Sequence, residues 1–264
     1  MKLILFTFVL ILVTSCNTDS ETKGYDIFII AGQSNTHSGI GLDSTIDTPD
    51  EEIFQLGRFS IYDHLIIKAT EPLQHHRIRD NQIGFALSFG KLYNKHINKG
   101  KKQILLLPCG FGGTSIVEHW NFDGFLYNDI LDRVAFIMEK HPNSTIKAIL
   151  WHQGESDIGN PDYANYLDNF IFQIREDLSQ QVPFIVGGMV PYFVNEKKQR
   201  KLQQEIISTT PNRVKNTSYA NPYKPFIIEK KDNTLDAIHY DAQGQRELGK
   251  RYYDAYKLLT AKTK

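Results

Sequence analysis

The sequence predicts an α/β protein with a parallel sheet covered by helices on both faces, and two observations predict it. Apolar runs of strand length, such as YDIFIIA at 25–31, are nearly continuous rather than alternating, as in strands buried on both sides. Between them lie longer stretches whose apolar residues recur at three- and four-residue steps, the period of an amphipathic helix. Strands and helices that alternate in this way pack as layers around a core. A chain of 264 residues has room for one large domain rather than two.

The elements are justified in order from the N-terminus. Lys2 and the apolar run from Leu3 to Val13, broken only by Thr7, have the form of a signal peptide, whose core is too short to cross a bilayer stably. The run ends in Val13-Thr14-Ser15-Cys16, which resembles the bacterial lipobox. Residues 1–15 are therefore expected to be a lipoprotein signal, Cys16 the lipidated first residue of the mature chain, and residues 16–23 a polar tether. The alternative is a plain secretory signal with an incidental cysteine. Two or more acyl chains on Cys16 would hold the protein stably on a membrane surface, so the expected location is that of an exported, membrane-anchored bacterial lipoprotein.

Residues 24–264 are expected to form the folded domain. Strands are predicted at 25–31, 103–107, 146–151 and 184–189, with a weaker candidate at 225–228. Ile83, Phe85, Ala86, Phe89, Leu92, Tyr93 and Ile97 make one helical face, and similar spacing marks 125–138, 163–178 and 202–207. A final helix starts after Asp241 as N-cap and buries Leu248, Tyr252, Ala255 and Leu259. The stretch 41–71 is irregular and reads as loops with a short strand around Ile66.

Composition narrows the function. With 41% hydrophobic and 23% charged residues, the chain is ordinary for a globular protein. Thirty basic residues balance thirty acidic ones, so no net field favours nucleic acid. The one dense basic stretch, 197–201, reads as a solvated helix face. Cys16 and Cys109 are the only cysteines, and no Cys/His spacing suggests zinc, so stability is expected to come from an apolar core. The adjacent pair His75-His76 lacks a carboxylate at ligand spacing and reads as a surface loop.

In open parallel sheets, ligands bind at the carboxyl ends of the strands. Gly32-Gln33-Ser34-Asn35 follows the first strand, and Pro108-Cys109-Gly110-Phe111-Gly112-Gly113-Thr114-Ser115 the second. His152-Gln153-Gly154-Glu155-Ser156-Asp157 follows the third, and Asp236-Ala237-Ile238-His239 precedes the last helix. Together they supply the parts of an acyl-transfer site. A serine hydroxyl needs an imidazole to take its proton, a carboxylate to orient that imidazole, and donors for the oxyanion. Ser34 follows its strand most closely, ahead of the rival nucleophiles Ser115 and Ser156. Gly112 and Gly113 permit a loop that points backbone N–H groups at a ligand, and Gln153 offers a side-chain amide. Asp236 and His239 stand three residues apart, within one turn. Singly, each has a plainer reading: Ser156 and Asp157 as caps of the helix starting near Pro161, Gly112-Gly113-Thr114 as a turn, Asp236 and His239 as a capping pair. The conjunction favours catalysis.

At these residues the sequence resembles the SGNH hydrolase superfamily, and within it the sialate O-acetylesterase and acetylxylan esterase group, carbohydrate esterase family 6 and its relatives. The most specific matches are AGQSN at 31–35, GGTSI at 112–116 and QGESD at 153–157, with Trp120 just beyond the second. The resemblance implies a three-layer α/β/α sandwich with a mostly parallel sheet, and no metal or other cofactor. It implies Ser34 as nucleophile, His239 as general base and Asp236 as its orienting partner. The oxyanion hole would comprise the Ser34 and Gly112 N–H groups and the Gln153 amide. Glu155 stands close enough in its motif to be a second carboxylate partner, and Asn35, Gly113 and Trp120 are expected to line a substrate pocket. Thr36-His37 replaces the apolar residue common after Ser-Asn, which predicts a more polar acyl pocket. Trp120, Phe122 and Tyr192 are candidates to stack on a sugar ring or to pack in the core.

The expected activity is removal of O-acetyl groups from carbohydrate: acetylated xylan, other plant polysaccharide or O-acetyl sialic acid. No obligate protein partner is expected. Two alternatives are a lipid or thioester hydrolase of the same superfamily and an inactive glycan-binding surface lipoprotein. The Gly-x-Ser-x-Gly elbow of α/β-hydrolases does not occur in the chain.

Overall fold

The structure, a computed structural model, describes residues 24–229 and 236–261. The expected signal, Cys16 and the tether lie outside the described residues. Along the chain come β1 (Tyr25–Gly32), β2 (Gly39–Ile40), β3 (Ile53–Leu56), β4 (Ile66–Lys68), β5 (Gln82–Ile83) and α1 (Ala86–Tyr93). Then follow β6 (Gln103–Pro108), α2 (Ile116–His119), α3 (Phe125–Lys140), β7 (Thr145–His152), α4 (Tyr163–Asp177) and β8 (Phe184–Gly187). The last are α5 (Pro191–Asn195), α6 (Lys198–Ser208), α7 (Thr210–Arg213), β9 (Thr217–Ala220) and α8 (Ala242–Ala261).

Among the described residues, seven strands form one sheet in the order β4-β3-β6-β1-β7-β8-β9. Within that sheet, among the described residues, only the β3–β4 pair at the edge is antiparallel. The central strand β1 is buried along its whole length, and its side chains alternate between two cores. Ile27, Ile29 and Ala31 face the layer of α3 and α4, packing with Val134, Ile137, Phe170 and Ile174. Phe28 and Ile30 face α1 and α8, where Phe28 meets Phe89, Tyr93 and Tyr256 edge-on at ring-centre distances of 4.8, 4.7 and 5.7 Å. The result is the expected three-layer sandwich.

Four sequence expectations change. The edge strand is β9, not 225–228, where Phe226 and Ile227 are exposed outside any strand. Its sequence, Thr-Ser-Tyr-Ala, is short and half polar because an edge strand has one neighbour instead of two. β3 was hidden in the irregular stretch because Gln55 breaks its apolar run; that side chain is buried, and its Oε1 accepts the Gln74 N–H. The eighth strand ends at Gly187, short of Met189. In α8, Leu248, Tyr252 and Ala255 are buried, but Leu259 in the last turn is half-buried and Tyr256 continues the buried face. Asp241 does cap this helix, its Oδ1 accepting the Gly244 N–H at 2.7 Å.

The register of the parallel strands sets Gly32 beside His152 and Ile30 beside Pro108. The ends of β1, β6 and β7 therefore share one edge of the sheet, and the three polar segments leave it together.

Candidate active site

At the end of β1 the chain must turn against β7 with no room for a side chain. Gly32 has φ +123°, and a Cβ there would lie 2.1 Å from the His152 carbonyl oxygen. The 3₁₀ turn Ser34–Thr36 follows, leaving Ser34 9% exposed. Its Oγ lies 2.8 Å from His239 Nε2, and His239 Nδ1 lies 2.8 Å from Asp236 Oδ2. The Asp236 carboxylate also accepts the His239 backbone N–H at 3.3 Å, so it fixes both the ring and the chain that carries it. With Nδ1–H donated to the carboxylate, Nε2 is left to accept the serine proton.

Asn35 ties the two ends of this arrangement together. Its Nδ2 donates to Glu155 Oε1 at 2.6 Å and to the Ile238 carbonyl at 3.0 Å, while its Oδ1 accepts the Tyr240 N–H at 3.0 Å. His239 is thus held between two residues bonded to the neighbour of Ser34. Asn35 is fully buried, so it is a strut and not the pocket wall expected from sequence. Glu155 is corrected in the same way. Both ring nitrogens of His239 are engaged by Ser34 and Asp236, and Glu155 lies behind Asn35 with His152 Nε2 3.7 Å away. Burial alone would raise its carboxyl, but His152 and the Asn35 amide bring it below the usual range.

The loop after β6 runs along the end of β1: the Cys109 N–H donates to the Ile30 carbonyl at 2.8 Å and Phe111 N–H to the Gly32 carbonyl at 2.9 Å. This brings Gly112 against Ser34, where a Cβ would lie 3.4 Å from Ser34 Cβ. Neither the Ser34 nor the Gly112 N–H is bonded to another described residue. Gly113 is exposed at φ +78°. Gln33, whose role the sequence reading missed, accepts the Gly154 N–H at 3.4 Å and the Ser156 N–H at 3.2 Å, joining the third segment to the first.

Gln153 reaches the same place but is buried. Its Nε2 donates to the Thr114 carbonyl at 3.1 Å and lies near Gln33 Oε1 at 3.3 Å and the Asp157 carboxylate. Three acceptors surround two amide hydrogens, so any donation to an oxyanion displaces one of them. Asp157 also accepts the Ile116 N–H at 2.9 Å, at the start of α2 and not of α4, the helix for which it had been read as a cap. Ser115 is the N-cap of α2, and the exposed Ser156 lends its N–H to Gln33, so neither rival serine has the setting of Ser34. Trp120 is 0% exposed and cannot touch a sugar; its Nε1–H donates to Thr114 Oγ1 at 2.9 Å and supports the loop from inside. Phe122 and Tyr192 are exposed.

His75 and His76 are not on a surface loop. His75 is fully buried, and His76 lies 3.2 Å from Asp129 Oδ2. Thr36 and His37 are also buried, with Thr36 Oγ1 2.7 Å from His37 Nδ1, so they pack inward and do not make an acyl pocket polar. Arg58 closes this cluster with a two-pronged ion pair to Asp129 at 2.7 and 2.8 Å. Burial would raise the Asp129 carboxyl, but Arg58 and His76 hold it well below the usual 3.8. The stability it supplies is therefore present at neutral pH and is lost as pH falls through and below its ordinary titration range. Asp129→Asn should cost about 3 kcal/mol at pH 7 in a urea titration, because it strands the Arg58 charge. A loss that persists unchanged at pH 3 would contradict this account.

A family model described as carbohydrate esterase, sialic acid-specific acetylesterase matches residues 24–258. A protein of Arabidopsis thaliana named "Probable carbohydrate esterase" is 29% identical over 174 residues, covering 58% of this chain and 64% of its own length. A protein of Escherichia coli K12 named "Probable 9-O-acetyl-N-acetylneuraminic acid deacetylase" is 27% identical over 203 residues, covering 59% and 61%. The chain thus spans a little under two thirds of the curated relatives it matches. Among solved structures, NanS superposes with a TM-score of 0.78 at 20% identity, over 92% of this chain and 99% of that one. That likeness is one of fold.

Proposed function

The chain belongs to the carbohydrate esterase, sialic acid-specific acetylesterase family, and from that premise we propose that it is a serine esterase removing O-acetyl groups from carbohydrate. The observation that carries the reading is the hydrogen-bonded series Ser34–His239–Asp236 at the carboxyl edge of a parallel sheet.

The geometry supports the following steps. His239 Nε2 takes the hydroxyl proton as Ser34 Oγ attacks the acetyl carbonyl carbon. The tetrahedral oxyanion is received by the Ser34 and Gly112 N–H groups, with the Gln153 amide as third donor. His239 returns the proton to the sugar oxygen as the C–O bond breaks, leaving acetyl-Ser34. Water, deprotonated by the same imidazole, then releases acetate and restores the serine. The name of the bacterial relative supports taking O-acetyl sialic acid as the first substrate to test, ahead of acetylated xylan.

The test is acetate release from O-acetyl sialic acid, acetylated xylan and an aryl acetate, compared with an aryl decanoate. A strong preference for acetyl is expected; faster cleavage of the decanoate would move the protein to lipid or thioester chemistry.

The lipobox-like Val13-Thr14-Ser15-Cys16 supports export and membrane anchoring as part of the proposal. Cys16→Ala should abolish labelling by a radioactive fatty acid and shift the protein from the membrane to the soluble fraction. Unchanged labelling would refute the anchor.

A further inference from the structure

The Gly112 N–H can serve an oxyanion only if its loop stands at the right height above Ser34, and residues more than thirty positions earlier in the chain grip that loop. His75 is fully buried, and its Nδ1 accepts the Gly110 N–H at 2.9 Å. The next residue completes the grip: the His76 N–H donates to the Gly110 carbonyl at 3.0 Å. Both polar groups of Gly110, two residues before Gly112, are therefore bonded to the His75-His76 pair. The same imidazole touches the nucleophile turn, stacking on His37 with ring centres 4.9 Å apart and planes 22° apart. Gly110 itself is pressed against that turn, where a Cβ would lie 2.0 Å from Thr36 Oγ1 and 2.9 Å from His75 Nδ1.

The chemistry of the imidazole says why a histidine stands here. To accept at Nδ1 it must be neutral and carry its proton on Nε2. Burial, together with His37 and Arg58 nearby, holds it well below its ordinary titration range, so it stays neutral. Its Nε2 has no hydrogen-bond partner among the described residues. An apolar ring would leave the Gly110 N–H unmatched instead, so the imidazole exchanges one orphaned donor for another. What the exchange gains is a loop backbone tied to a ring that stacks on His37, at the end of the turn that carries Ser34. The segment bearing His75 is itself held by the buried Glu71, which accepts the Leu73 N–H at 3.0 Å and the Gly84 N–H at 3.3 Å.

We propose that His75 is a positioning residue that registers the oxyanion loop against Ser34 through the Gly110 N–H. The proposal rests on the serine esterase reading above. Its test compares kcat and KM for an aryl acetate, and the rate at which an aryl phosphonate inactivates Ser34, in His75→Leu, His75→Asn and His75→Gln. The asparagine oxygen takes the place of Nδ1, whereas the glutamine oxygen reaches out towards the place of Nε2. His75→Leu is expected to lower kcat and phosphonylation together by about 10- to 100-fold, with KM changing less than about threefold. His75→Asn is expected to recover most of that loss, and His75→Gln little of it. Equal kcat in the leucine and asparagine variants overturns the positioning role. Should His75→Leu fail to fold, equal kcat in the asparagine and glutamine variants overturns it. Ser34→Ala turnover within tenfold of the natural protein sinks the serine esterase reading and the positioning role with it, whereas Ser34-dependent turnover indifferent to the acceptor at residue 75 removes the positioning role alone.

Discussion

Replacing Ser34 with alanine will lower kcat for acetyl-ester hydrolysis by about four to six orders of magnitude. The hydroxyl lies 2.8 Å from His239 Nε2, placed to carry the acetyl group, so its loss removes the covalent intermediate. The oxyanion donors survive, because two of them are backbone N–H groups. A residual acceleration of about 10³- to 10⁴-fold over water is therefore expected. Folding should be little affected, since the side chain is small and the turn is held by Asn35 and Gln33. The measurement is acetate release at saturating substrate, with circular dichroism to show that the variant is folded. A variant within tenfold of the natural protein would end the nucleophile assignment.

Asp236→Asn is expected to cost about 10⁴-fold in kcat. The asparagine amide can donate to Nδ1, and the imidazole would then carry its proton on Nε2, where it cannot accept one from Ser34. Glu155→Gln should cost much less, about 10- to 100-fold, because Glu155 is bonded to Asn35, which in turn holds the chain flanking the imidazole. The pair of variants separates the two carboxylates that the sequence left side by side. If the glutamine variant were the more damaged, the orienting role would pass from Asp236 to Glu155.

What the sequence made legible follows a physical division. The strands β1, β6 and β7 are buried on both faces, so their apolar runs are long and unmistakable, and the site segments stand out because each begins where a run stops. Ser34, Asp236 and His239 could be named because acyl transfer needs those residue types. β9 and β3 were not legible: one lies at the edge and the other contains a buried glutamine, so neither shows a continuous apolar run. The same limit governs the side chains around the site. Asn35, Trp120 and His75 are polar or amphipathic residues whose partners lie 203, 6 and 35 positions away. Nothing local distinguishes a buried strut from a pocket wall. The motif indicates that Asn35 matters, and only the fold shows what it holds.

Ser34 and His239 sit 205 residues apart along the chain, one at the end of the first strand and the other just before the last helix. A ribosome delivers Ser34 long before His239. With the roles proposed above for these two residues, turnover requires both segments to be made and packed together, so acetyl-ester hydrolysis doubles as a readout that two stretches 205 residues apart have met.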